Sequence, residues 1–192
     1  KIVKYRNIKY FKRNNKSGRG SAVIFGMRRM MKEREIDIIV EMDTDLSSHP
    51  KELPKNINFF KRQKLDLLIM SRYLQGSKII NWPLRRRVFS FLSNKLANFL
   101  LRANVSDYTM GYRIYSKKAI VRVANNCGKV GSGFIVLSEI LAELHSNNYK
   151  IRDTKTTFIN REKGDSTVGL KLIYESLVGI FKIYFKYRGL AK

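Results

Sequence analysis

The chain has 192 residues, 44% apolar and 28% charged, which suits one globular domain with a sizeable core and argues against a disordered tail. Its 39 Lys and Arg against 15 Asp and Glu leave a formal net charge of +24, so the expected partners are polyanions: nucleic acid, anionic lipid or a phosphorylated substrate. A single cysteine, Cys127, rules out an internal disulfide, neither histidine has metal-ligand spacing, and no apolar run approaches the roughly 20 residues of a bilayer span.

In chain order, residues 8–12 read as a short strand and 14–20 as a loop. Ser21 is positioned to cap a helix over 22–31, with Val23, Met27 and Met30 on one face. The run I-D-I-I-V-E-M at 36–42 is a mostly apolar strand of the kind buried in α/β sheets, and it ends at Asp43-Thr-Asp45. A helix over 51–62 and a strand over 65–70 follow. A longer helix over 84–101 sets Val88, Leu92, Leu96 and Phe99 on one side. Next come a short strand at 111–115, a helix over 134–145, a strand over 149–158 and a last helix over 168–187. The last helix carries Leu170, Ile173, Leu177, Ile180, Phe181 and Tyr184 in one stripe, with Lys171, Lys182, Lys186 and Arg188 in or beyond it. That pattern fits packing on a core, and residues 168–188 also fit a basic amphipathic helix lying on an anionic membrane surface. Strands alternating with helices predict one α/β domain over 1–192, its largely parallel sheet covered on both faces.

The strongest local signal is the D-x-D at Asp43 and Asp45. Side chains two apart on extended chain point the same way, so both carboxylates can reach one hard divalent cation, and strand ends are where open α/β sheets bind ligands. An acidic loop capping the helix after Pro50 is the plainer alternative. Gly18-Arg-Gly20 opens a helix and allows close approach of an anion or simply a tight turn; it is neither a Walker loop nor a dinucleotide fingerprint. Arg72, just past a strand, and Arg86, within Arg85-Arg-Arg87, are candidate phosphate clamps, because a guanidinium grips phosphate oxygens bidentately. Asp107 and Arg113 are candidates for a structural ion pair.

Taken in order, these pieces resemble the polyprenol-phosphate (dolichol-phosphate) mannosyltransferases of glycosyltransferase family 2. The resemblance runs over about residues 8–172. It rests on G-x-G-x-A, M-D-x-D-x-S-x-H-P, Ser71-Arg-Tyr73, Trp82 with Arg86 and Ser90, Ser106-Asp107 with Tyr112-Arg-Ile-Tyr115, Gly133-Phe134 with Glu139, and Arg161, Gly164 and Ser166 as R-x-x-G-x-S. It implies a GT-A type, Rossmann-like fold that moves a sugar from a nucleotide-sugar to a polyprenyl phosphate with inversion. Mannose from GDP-mannose is the first expectation, with glucose from UDP-glucose open. It further implies Mg²⁺ or Mn²⁺ on Asp43 and Asp45, with Ser47 beside the metal. Arg72, Arg86 and Ser90 would contact donor or acceptor phosphate, and Arg161 and Ser166 would close over the pyrophosphate. The expected location is the cytoplasmic face of a membrane, the endoplasmic reticulum in a eukaryote or the plasma membrane in a prokaryote.

The family's opening strands, P-x-Y/F-N-E and D-D-G/S, do not occur, so the chain is expected to lack the first strands of the sheet and part of the nucleotide pocket. Thr167 stands where relatives often carry lysine. A family 2 enzyme with a saccharide acceptor is disfavoured because Q-x-x-R-W is absent. The non-enzymatic alternative is an inactive fragment acting as a basic membrane- or nucleic-acid-binding module; no RNA-binding signature supports specific nucleic-acid recognition.

Overall fold

The apolar run L-L-I-M-S becomes β2 (Leu67–Ser71), and all five of its residues are buried, as a strand covered on both faces requires. In this computed structural model, described over residues 8–15, 17–160 and 170–188, β2 lies inside a four-stranded sheet. Its neighbours are β4 (Arg113–Ser116) on one side and β5 (Ile151–Lys155) on the other, and β1 (Ile38–Glu41) flanks β4, giving the order β1-β4-β2-β5. β2 and β5 pair in parallel, Leu67 opposite Ile151, whereas β4 is antiparallel to both β1 and β2, with Arg113 opposite Glu41 and Ile69. Three strands therefore share one direction, as alternating strands and helices predict, but β4 runs against them and the sheet is mixed.

Around the sheet stand α1 (Gly18–Met30), α2 (Leu53–Arg62), α3 (Leu84–Leu101), α4 (Lys117–Asn126), α5 (Ile135–Ser146) and α6 (Leu170–Tyr187). α4 falls in a gap of the sequence reading; Ser116 caps it by accepting from the Ala119 N–H, and Ala119, Ile120, Val123 and Ala124 face the core. A second, two-stranded parallel sheet joins β3 (Lys78–Ile80) to β6 (Thr157–Ile159). The single strand expected over 149–158 is thus two, broken at Thr156, whose hydroxyl donates to Glu52 Oε2 at 2.5 Å. No strand forms at 8–12, where the chain is exposed coil apart from half-buried Arg13 nearby.

Three further expectations change. Ser21 is not an N-cap: α1 already starts at Gly18, and the Ser21 hydroxyl bonds back to the Ser17 and Gly18 carbonyls. The glycines there serve packing, because a Cβ on Gly20 would sit 2.4 Å from the Gly133 carbonyl oxygen. α3 keeps its expected bounds but turns most of the expected stripe outward: Leu92 is 59% and Phe99 73% exposed, Val88 is exposed too and only Leu96 is half-buried on the core, while Asn94, Ala97 and Leu101 face inward. α6 buries Ile180, Ile183 and Tyr187 and leaves a second apolar stripe, Tyr174, Leu177, Phe181 and Phe185, exposed. Its C-terminal end is fixed to α5, where Tyr187 donates to Glu143 Oε2 at 2.7 Å and Lys186 pairs with Glu139 at 3.3 Å.

Candidate active site

β1 and β2 run in the same direction, so the segments that leave their C-terminal ends emerge on one edge of the sheet. That edge carries Asp43 and Asp45 after β1, and Arg72 and Tyr73 after β2. Open α/β sheets bind ligands at such an edge.

The D-x-D loop is held by backbone. Asp45 Oδ1 accepts from the Ser47 N–H at 3.0 Å, the Ser47 carbonyl accepts from the Ile159 N–H at 3.0 Å, and Ser48 bridges Phe158. Ser47 is buried, whereas both aspartates are exposed. Neither aspartate caps the following helical turn (Pro50–Glu52); His49 does, its Nδ1 accepting from the Lys51 N–H at 3.2 Å. The carboxylates are therefore left facing outward. Arg19 of α1 reaches Asp43 Oδ1 through Nε (3.2 Å) and Nη2 (3.0 Å), and the same Nη2 lies 3.3 Å from Glu41 Oε1. Burial opposes the charge on Arg19, but Glu41 and Asp43 outweigh it and hold its pKa above the ordinary value. Burial raises the pKa of Glu41, and Arg19 and Arg113 only partly offset this.

Among the described residues no group of three or more Asp, Glu, His or Cys side chains gathers as a self-sufficient metal cage. Two hard carboxylates at one strand end do suit a divalent ion whose remaining ligands are waters and substrate phosphate oxygens, the usual Mg²⁺ arrangement. On that chemistry the donor set fits.

Arg72 is placed differently from a free clamp. Its Nε and Nη2 bond Asp107 at 2.7 and 2.8 Å, Nη2 also bonds Thr109 Oγ1 at 2.8 Å, and its backbone N–H donates to Asp107 at 3.1 Å. Trp82, Tyr73 and Phe158 surround the guanidinium at 5.0, 5.4 and 5.5 Å. Burial opposes ionisation of both partners; their mutual attraction wins, raising Arg72 and holding Asp107 below the usual carboxylate range. The expected Asp107–Arg113 pair is not formed. Arg113 is buried and donates instead to the carbonyls of Tyr108, Met110 and Leu137, so it organises the 108–110 turn.

Arg72, Tyr73 and Ser77 line a cavity of about 410 Å³ with Arg87 and the apolar Leu74, Ile79, Leu84, Val88 and Phe91. Ser90 touches it indirectly, its Oγ accepting from the Tyr73 hydroxyl at 2.7 Å. Arg86 stacks on Trp82 at 5.7 Å, and Arg87 rather than Arg86 faces the cavity. Arg161 and Ser166 lie outside the described residues. Sequence reasoning missed Arg19, whose partner is 24 residues away, and Arg87, one of three adjacent arginines that the α3 turn separates.

A mixed α/β sheet flanked by helices, with paired carboxylates where one strand ends, is consistent with the GT-A type of fold. The chain belongs to glycosyl transferase family 2, whose family model matches residues 1–123. It is 31% identical over 169 residues to the undecaprenyl-phosphate mannosyltransferase of Micrococcus luteus, covering 88% of this chain and 68% of that protein. It is also 31% identical over 166 residues to the polyprenol monophosphomannose synthase of Mycolicibacterium smegmatis, covering 86% of this chain and 61% of that one. The chain thus spans roughly two thirds of the length of these relatives.

Proposed function

We propose that this chain carries the acceptor side and the metal side of a transferase that moves mannose from GDP-mannose to a polyprenyl phosphate, with inversion. The observation that carries the reading is the cavity of about 410 Å³ beside Arg72, in which two arginines meet apolar walls. A lipid phosphate has both properties, a charged head and an apolar chain. The names of the two relatives, an undecaprenyl-phosphate mannosyltransferase and a polyprenol monophosphomannose synthase, support the same choice of acceptor and sugar.

The lipid phosphate is already anionic, so it can attack the anomeric carbon without a strong general base. Arg87 and the edge of Arg72 would orient it, and the rigid Asp107 clamp keeps Arg72 from drifting. Asp43 and Asp45 would hold Mg²⁺ or Mn²⁺, which when bound neutralises charge on the departing nucleoside diphosphate. Asp45 is pre-set for this by its bond to the Ser47 N–H. Ser90 would act through Tyr73 and Arg86 through Trp82, with Arg161 and Ser166 proposed from the motif as further contacts to the diphosphate.

No helix among the described residues is long and apolar enough to cross a membrane. The outward stripes of α3 and α6 instead favour lying on the cytoplasmic face of one: Leu84, Val88, Leu92 and Phe99 on α3, and Leu177, Phe181 and Phe185 on α6, are exposed alongside Arg85, Arg87, Lys95 and Lys182.

The test is a donor and acceptor matrix on the protein. Radiolabelled GDP-mannose and UDP-glucose are offered against a short polyprenyl phosphate and the matching unphosphorylated polyprenol. Mannose on the phosphate alone supports the proposal. Transfer to the free alcohol, or glucose only, contradicts it.

A further inference from the structure

We propose that Arg19 is a built-in counter-ion of the D-x-D, occupying Asp43 in the metal-free protein and yielding it when metal and nucleoside diphosphate arrive together. The inference rests on the metal reading above and deepens it. Nothing in the family match or the named relatives assigns Arg19 a role.

Four observations converge on it. Its Nε and Nη2 both bond Asp43 Oδ1, at 3.2 and 3.0 Å, so the guanidinium sits on an oxygen a cation would use. The same Nη2 lies 3.3 Å from Glu41, which keeps a second acidic partner if Asp43 is withdrawn. The berth is shaped for it: a Cβ on Gly111 would fall 1.8 Å from Nη2, and Phe134 stacks against the guanidinium at 5.6 Å. Finally, Nη1 is buried without a hydrogen-bond partner, so the fork carries one more donor than the protein satisfies. A buried orphan donor is costly, so the guanidinium is incompletely satisfied by the protein alone.

The charges dictate the order of events. A divalent ion alone must displace or sit beside a guanidinium on Asp43, so free metal binds weakly. When metal arrives with a diphosphate, the added negative charge offers the guanidinium a new partner while Glu41 holds its other side, and Asp43 turns to the metal. Arg19 thereby favours the metal–nucleotide complex over bare metal. It is a positioning residue in this account.

The experiment is a Mn²⁺ titration followed by electron paramagnetic resonance, on the wild-type chain, Arg19→Gln, Gly111→Ala and Asp45→Asn, each with and without GDP, with circular dichroism confirming the fold. Loss of Arg19, or its displacement by a Cβ at Gly111, is expected to tighten Mn²⁺ alone by roughly two- to fivefold, the size of a half-exposed ion pair. The same variants should shrink the factor by which GDP tightens Mn²⁺. Arg19→Lys, which keeps a charge but not the fork, should fall between. Mn²⁺ affinity unchanged or weakened in both Arg19→Gln and Gly111→Ala overturns the counter-ion role. Absence of Mn²⁺ binding in wild type with GDP, or binding indifferent to Asp45→Asn, overturns the metal reading itself, and the two failures are told apart in one data set.

Discussion

Two arginine–carboxylate pairs stand at the same sheet edge and are built for opposite purposes. Arg72–Asp107 is buried, bidentate and enclosed by three aromatic rings. Arg19–Asp43 meets a single carboxylate oxygen, and the Asp43 side chain is 47% exposed. The first is a fixture that shapes the cavity wall; the second is exchangeable. In a sugar-transferring site the two would divide the work, one arginine held in place and one acidic group that changes partners.

The largest effect that would break this contrast is on stability. Asp107→Ala leaves Arg72 charged and buried, and should cost about 3–5 kcal/mol by denaturant unfolding; a loss under about 1 kcal/mol would mean the pair is not the fixture described. A double-mutant cycle sharpens the comparison: the coupling between Arg72 and Asp107 should exceed about 2 kcal/mol, and that between Arg19 and Asp43 should stay under about 1 kcal/mol.

The buried pair also makes stability respond to pH. The folded pKa of Asp107 is depressed, so its stabilisation is fully present above the ordinary aspartate range and disappears as pH falls through and below it. Wild type and Asp107→Asn should therefore converge in melting temperature as pH is lowered below about 4. Smallest of all, Asp43→Ala, which leaves Arg19 paired with Glu41, should change stability by less than about 1 kcal/mol, and about 1 M salt should erase most of that difference while leaving the Asp107→Ala loss largely intact.

Much of this fold is legible in the sequence where local chemistry decides it. The bounds of α3 follow from Pro83 at its start and a run free of Gly and Pro after it, and β2 follows from L-L-I-M. What a helix faces is less local. α3 turns Asn94 inward because Asn94 accepts from the Tyr108 N–H at 2.6 Å and donates to the Ser90 carbonyl, so a polar docking contact overrides the larger apolar stripe. The break between β5 and β6 is likewise set by Glu52, more than a hundred residues earlier.

The site divides in the same way. The D-x-D, Ser47 and Arg72 are visible as motif residues. That Arg72 belongs to Asp107 rather than to open solvent, and that Arg19 sits on Asp43, depends on sequence separations of 35 and 24 residues that no periodicity encodes.

The central claim, that Asp43 and Asp45 hold the metal serving the departing diphosphate, is tested most directly by mannose transfer from GDP-mannose to a short polyprenyl phosphate, comparing wild type with Asp45→Asn in Mn²⁺ and in EDTA. The account predicts transfer by wild type in Mn²⁺ alone, with at least a hundredfold loss in Asp45→Asn, on the order expected when a main electrostatic stabiliser of the leaving group is removed. Equal transfer in EDTA, or an Asp45→Asn enzyme as fast as wild type, would contradict it.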